Sequence, residues 1–215
     1  MNDEPIIYLV DDDEAVRDSL GMLLESIGLK HDAYASALEF LESYDGRRHS
    51  CLVADIRMPG LSGLELQQRL NEQRAEIPII FITGHGDVPM AVTAMKSGAA
   101  DFLQKPFRDQ ELIDRIHRAL AHDRERREIR AAEEEIRERL ALLTPRETEV
   151  MQRVVRGQAN KVIAMDLGVS QRTVELHRAR VMRKLKMRSV AELVQAVGRV
   201  GGPPPSPPSD TAAAK

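Results

Sequence analysis

Five side chains in the first half of the chain could carry phosphoryl chemistry if the fold brings them together. Asp11 and Asp12 follow the apolar run Ile6–Val10, and Asp55 follows Cys51–Ala54. Thr83 follows Ile77–Ile82, and Lys105 with Pro106 follows Asp101–Gln104. Each run is short and bounded, as strands buried on both faces are. In a parallel sheet such strand ends share one edge, and ligands bind there. Carboxylates 43 residues apart would then share a pocket with a hydroxyl and an ammonium. Clustered carboxylates repel one another, and a hard cation, Mg2+ or Mn2+, relieves the repulsion through oxygen ligands. Such a pocket can orient and neutralise a phosphoryl group, one carboxylate serving as nucleophile. Each feature alone has a plainer reading: Asp11-Asp12-Asp13 as a helix-capping turn, Thr83-Gly84 as a turn, Lys105 as a surface lysine. Their joint placement at matching strand ends favours a site.

A second constellation suits a polyanion. Asn160–Leu167 and Gln171–Leu185 read as two helices joined by Gly168-Val169-Ser170, the spacing of a helix-turn-helix. On a helical wheel Val174, Val181 and Leu185 face a core. Arg172, Glu175, Leu176, Ala179 and Arg183 form the face expected in a major groove. Thr173, His177, Arg180 and Lys184, with Lys161, are expected at phosphates. Glu175 costs general affinity for DNA but can accept from cytosine N4. A packing or capping role is the plainer reading of His177, and Arg178 is left unassigned.

The positioning elements follow from periodicity. Val16, Leu20, Leu23, Leu24 and Ile27 make one helical stripe. Further helices are expected around Leu38 and Leu41, Leu61–Leu70 and Val88–Ser97, with a weaker strand near Asp32–Ala35. Alternating strands and helices imply a parallel sheet covered on both faces. Residues 108–143 contain no Pro or Gly and predict one long helix of about 54 Å. Its first part carries Leu112, Ile113, Ile116 and Leu120, a stripe suited to covering the sheet. Its second part is sparse, with Ile129, Ile136, Leu140 and Leu143 fitting either a short coiled-coil seam or a solvated connector. Thr144-Pro145-Arg146-Glu147 is an N-terminal capping box with proline at the first helical position, and Ser189–Glu192 repeats the box. Residues 201–215, GGPPPSPPSDTAAAK, read as a disordered tail.

Charge divides the chain in the same place. Residues 1–107 hold 9 Lys/Arg against 18 Asp/Glu, and residues 141–200 hold 12 against 5. An acidic half joined to a basic half implies two domains with different partners, the basic one's anionic. No apolar run approaches the ~20 residues of a membrane helix. The start lacks a signal-peptide pattern, and the single Cys51 suits a reducing compartment, so a cytoplasmic location with no membrane partner is expected.

The motifs VDDD, ADIRMPGLSG, FITGHGD and KPF resemble the CheY-like receiver domain, and TGHGDVPMAVTAMKSGAADFLQKPF resembles the FixJ/NarL-type response regulators. LTPRETEVMQRVVRGQANKVIAMDLGVSQRTVELHRARVMRKL resembles the four-helix LuxR/NarL-type DNA-binding domain. The resemblance implies a doubly wound five-stranded parallel receiver over 1–121, a linker helix over 108–143 continuing its last helix, and an all-α helix-turn-helix domain over 144–200. It implies Asp55 as phospho-acceptor, with Asp12, Asp55 and the Arg57 carbonyl on Mg2+ and Asp11 in support. Lys105 and Thr83 would contact the phosphoryl group, Lys105-Pro106 would be cis, and Phe102 would be the switch aromatic. Arg57 and His85 flank the site and would tune phosphoryl lifetime. The implied partners are a sensor histidine kinase, double-stranded DNA, RNA polymerase and, once phosphorylated, a second copy. Because the chemistry is done on the protein itself, no enzyme acting on other substrates is expected. A phosphatase reading lacks any evident lid, substrate loop or second nucleophile. The remaining alternative is a constitutive DNA-binding regulator whose receiver is only a dimerisation scaffold.

Overall fold

The apolar runs form the strands β1 (Ile6–Val10), β2 (Lys30–Tyr34), β3 (Ser50–Asp55), β4 (Ile79–Thr83) and β5 (Asp101–Gln104) in the computed structural model, which describes residues 4–84 and 88–201. The sheet order is β2-β1-β3-β4-β5 and every pairing is parallel. The intervening helices are α1 (Glu14–Ser26), α2 (Ala37–Ser43), α3 (Gly63–Glu72), α4 (Val88–Lys96) and α5 (Asp109–Ala141). Strand alternation sends Ile6, Tyr8 and Val10 into one core and Ile7 and Leu9 into the other. The first core includes Phe40, Leu66 and Phe81, and the second Leu24, Leu112 and Ile116. Each such side chain contributes about 1.5–3 kcal/mol by leaving water. Burial on both faces explains why these strands are continuous apolar runs.

The departures from expectation have local causes. β4 begins at Ile79 because Pro78 has no N–H to give a ladder. Half-exposed β2 stands at the sheet edge, so it lacks the apolar signature of its neighbours. α3 starts at Gly63 because Ser62 and Glu65 form a reciprocal capping box.

The chain divides into units Met1–Arg127 and Glu128–Lys215. Within the first, α5 buries Leu112, Ile116, Ala119 and Leu120, and then Asp123. The Asp123 carboxylate accepts from Ser50 N at 3.2 Å and Arg127 Nε at 2.7 Å. Arg127 also donates to the carbonyls of Gly46, Arg47 and Arg48 at 3.3, 3.1 and 2.5 Å. The first unit therefore keeps hold of α5 well beyond its apolar stripe.

In the second unit the last turns of α5 join α6 (Pro145–Val155), α7 (Asn160–Leu167), α8 (Gln171–Lys184) and α9 (Val190–Arg199). Val150, Met151, Ile163, Val174, Val181 and Leu193 form its core. Leu140 and Leu143 pack against that core. This corrects the seam reading: two of its four apolar positions are taken by their own unit, leaving only Ile129 and Ile136, a single heptad. Among the described residues no helix is long and apolar enough to cross a membrane. His85 and residues 202–215 of the expected tail lie outside the described residues.

Candidate functional site

Register builds the acidic site. Val10 pairs with Ala54, Asp55 with Ile82 and Thr83 with Gln104, so Asp11, Asp55, Thr83 and Lys105 end neighbouring strands on one edge. Lys105 Nζ lies 3.1 Å from Asp11 Oδ2 and 3.4 Å from Asp55 Oδ1. The Lys105-Pro106 bond is cis. Asp11 Oδ1 accepts from Asp13 N at 2.9 Å, and its carbonyl accepts from Arg17 Nη1 at 2.7 Å. Asp13 in turn caps α1. Asp55 Oδ2 accepts from Arg57 N at 2.9 Å.

These contacts act on the Asp55 carboxyl and the Lys105 ammonium. Burial pushes the Asp55 carboxyl above its usual range; Lys105 opposes this, Asp11 adds to it and the Arg57 N–H opposes it. Lys105 is also raised: burial works against its charge, but the hydrogen bond and charge of Asp11, joined by Asp55, outweigh it. One ammonium shared by two carboxylates is favoured as a cation, while Asp55 is left with an incompletely compensated charge. A hard divalent cation would relieve that strain, and the oxygen donors of Asp55, Asp12 and the Arg57 carbonyl are of the chemical type to hold one. The side chains are only partly assembled for it. Among the described residues no three His, Cys, Asp or Glu gather as a metal-holding group, and Asp12 is exposed. The expected three-carboxylate pocket is thus a pair, Asp11 and Asp55, bridged by Lys105.

Thr83 is buried, 3% exposed, with its hydroxyl 3.4 Å from the Gly84 carbonyl. Phe102 stands outward at 37% exposure, two residues before Gln104, the register partner of Thr83. Arg57 is exposed. Gly63, which sequence reasoning passed over, limits the site from below. A Cβ there would meet the Asp55 carbonyl oxygen at 2.4 Å, a Phe81 ring carbon at 2.9 Å and Ile56 Cα at 3.0 Å. Its place in the quoted ADIRMPGLSG motif was the available signal.

The basic site is built on α8. Gly168 ends α7 in the left-handed conformation (φ 64°), which lets the chain turn in three residues, and Ser170 caps α8. Val174, Val181 and Leu185 are buried. Arg172, Glu175, Leu176, Ala179, Arg180 and Arg183 are exposed, as is Lys161 on α7, while Thr173 and His177 are half-buried. His177 Nδ1 is buried with no hydrogen-bond partner among the described residues. Arg178, unassigned from sequence, donates to Asn160 Oδ1 at 2.5 Å and so ties α8 to the start of α7.

Lys184 departs from the expected phosphate stripe. Its Nζ lies 2.6 Å from Glu147 Oε2 and 3.0 Å from the Leu142 carbonyl. Glu147 is 3% exposed, and a carboxylate so placed needs a counter-charge. Burial pushes its carboxyl up, but hydrogen bonds from Lys184 and from Thr144 N and Oγ1, with the Lys184 charge, bring it down to about 2.

Comparison with known proteins agrees with both halves. Residues 7–117 match the response regulator receiver domain, and residues 141–197 match the bacterial regulatory proteins of the luxR family. Nodulation protein W of Bradyrhizobium diazoefficiens is 47% identical over 196 residues, 91% of this chain and 86% of that protein. The transcriptional regulatory protein FixJ of Azorhizobium caulinodans is 49% identical over 189 residues, 88% and 90% of the two chains. Among solved structures, the response regulator StyR superposes with a TM-score of 0.84 at 45% identity, covering 91% of this chain and 99% of that one. Full-length FixJ from B. japonicum does so with a TM-score of 0.57 at 44% identity, covering 91% and 97%. A receiver domain and a LuxR-type domain in one chain, with relatives of this identity over nearly its whole length, place it in the FixJ/NarL family of two-component response regulators.

Proposed function

We propose that Asp55 accepts a phosphoryl group from a sensor histidine kinase in a Mg2+-dependent reaction, and that the phosphorylated chain dimerises on DNA to regulate transcription. The observation that carries this reading is Lys105, whose ammonium stands 3.4 Å from Asp55 at the carboxyl edge of the sheet. There it can meet the phosphoryl oxygens as Asp55 becomes an acyl phosphate. Asp55 attacks phosphorus, the bond to the donor nitrogen breaks and the donor leaves with a proton. Asp12, Asp55 and the Arg57 carbonyl would hold the cation, with Asp11 supporting. The cation, Mg2+ or Mn2+, supplies neutralisation of the phosphoryl charge when bound. The same residues account for autodephosphorylation, with water as the acceptor, and no other substrate is required.

Output follows as a population shift. The buried Thr83 hydroxyl turns to the phosphoryl group, and the outward Phe102 moves inward behind it, reshaping the surface of α4 and β5. That surface pairs two chains, and two copies of α8 then share one operator and present RNA polymerase with a bound regulator in the cytoplasm. A single small basic domain binds weakly at physiological salt, whereas tethering two raises avidity about 10²–10⁴-fold.

The test is incubation of the intact protein with Mg2+ and a small phosphodonor, read by intact mass and sedimentation against Asp55→Ala. A phosphoryl mass increment on the unsubstituted chain alone, with a shift from monomer to dimer, is the expected result. An increment without association would refute dimerisation as the output. Equal increments on both chains would refute Asp55 as acceptor.

A further inference from the structure

The C-terminal end of the recognition helix is held in part by a residue that precedes the DNA-binding domain as the luxR-family match bounds it. A helix ends with carbonyls that lack intrahelical partners, and cations are favoured there. At the end of α8, the Leu185 carbonyl accepts from Arg139 Nη1 at 3.3 Å. Arg139 lies in the last turn of α5, two residues ahead of the luxR-family match at 141, and its side chain is only 20% exposed. The guanidinium is braced by Glu135 one turn earlier on the same helix. One residue before Leu185, Lys184 reaches the Leu142 carbonyl in the turn that follows α5, and the buried Glu147 in the first turn of α6. Immediately beyond, Lys186 adopts φ 56° and the chain turns away. Two cations thus tie the same end of α8 to the last turn of α5 and its exit, while Leu140 and Leu143 fix that turn to the core.

We propose that Arg139 and Lys184 are positioning residues for DNA binding, which fasten the end of the recognition helix to the last turn of the linker helix. The linker then sets the attitude of α8 toward a duplex rather than only tethering the domain. This inference rests on the reading of α8 as the recognition helix. It also reassigns Lys184, whose angular position on the helix would otherwise make it a phosphate contact.

Salt dependence separates the two roles, because each lost phosphate contact lowers the slope of log affinity against log salt by about 0.9. The full-length protein, phosphorylated with Mg2+ and a small phosphodonor, is titrated against a fluorescent mixed-sequence duplex across a range of salt concentrations. Lys184→Gln is expected to weaken binding ~3- to 30-fold with the slope of the unsubstituted chain. A slope lowered by about 0.9 overturns the inference. Glu147→Gln/Lys184→Gln removes both charges together, so it guards against misfolding caused by an unpaired Glu147, and the same two outcomes apply. Arg139→Ala is expected to weaken binding to a similar degree at constant slope, and affinity within twofold of the unsubstituted chain overturns its role. Failure of the unsubstituted chain to bind the duplex would instead overturn the reading of α8, and this inference with it.

Discussion

Replacing Asp123 with alanine should destabilise the receiver unit by about 2–4 kcal/mol, although the residue lies beyond the apolar stripe of α5 that runs from Leu112 to Leu120. Asp123 is 2% exposed, and its carboxylate satisfies Ser50 N, itself in a fully buried residue, at 3.2 Å. Leaving that N–H without a partner costs about 1–3 kcal/mol. The carboxylate also faces Arg127 Nε at 2.7 Å and Arg126 at 3.6 Å. Breaking a fully buried pair costs about 3–5 kcal/mol, but Arg127 is about one-third exposed and keeps three backbone carbonyls, so roughly 1 kcal/mol is the appropriate share. Asp123→Asn keeps an acceptor for Ser50 N and should lose only about 1–2 kcal/mol. The assay is built into the composition. The chain has no Trp and three Tyr, and Tyr8, Tyr34 and Tyr44 all lie in the receiver unit, so tyrosine fluorescence during urea unfolding of the full chain reports that unit alone. Tyr44 is also a local reporter. Burial pushes its hydroxyl up to about 12, with Arg127 opposing and Asp123 reinforcing the shift. A loss below about 0.5 kcal/mol for Asp123→Ala, the ordinary range for a surface substitution, would refute the claim that this carboxylate anchors α5.

Three further outcomes follow from the same geometry. Because the folded-state carboxyl of Asp55 is raised, its contribution to stability is present below its unfolded value near 3.8 and lost as pH rises through the folded one. Asp55→Asn should therefore melt higher than the unsubstituted chain at pH 7 without divalent ions and gain nothing from added Mg2+; an equal or lower melting temperature contradicts the electrostatics assigned to the site. Gly63→Ala should cost about 1–3 kcal/mol and slow phosphoryl uptake, since the new methyl must displace the Asp55 backbone, and uptake at the unsubstituted rate with unchanged stability would show that the backbone accommodates it. Glu147 has the opposite sign from Asp55. Its carboxyl is lowered to about 2 from 4.5, so its stabilisation is full above about pH 5 and disappears toward pH 2; acid unfolding of the second unit, followed by α-helical circular dichroism, should shift to higher pH in Glu147→Gln, and an unshifted midpoint would contradict the pairing with Lys184.

What was legible in the sequence depends on whether a residue's role follows from its place along an element or from a partner far away. β1, β3 and β4 are buried on both faces, so their apolar runs announce them, and strand ends in a parallel sheet share an edge by topology. That is why Asp11, Asp55, Thr83 and Lys105 could be gathered without coordinates. Caps were legible for the same local reason, since Thr144 and Glu147 are three residues apart. A long-range polar pair leaves no such trace. Asp123 and Arg127 have the spacing of any exposed helical ion pair, and only the carbonyls of residues 46–48, some 80 positions earlier, show that theirs is an anchor. Lys184 marks the limit of a helical wheel, which gives the angle of a Cβ but not the reach of a long side chain. From the stripe expected at phosphates its four methylenes carry the ammonium back to Glu147, 37 residues earlier. Leu140 and Leu143 show the same limit for apolar residues, because a stripe can be read from spacing while its partner, a second chain or its own core, cannot. A charged residue predicted on a binding face is therefore securely placed only when no buried opposite charge lies within its reach. By that criterion Arg172, Arg180 and Arg183, exposed on α8, are better candidates for DNA contact than Lys184.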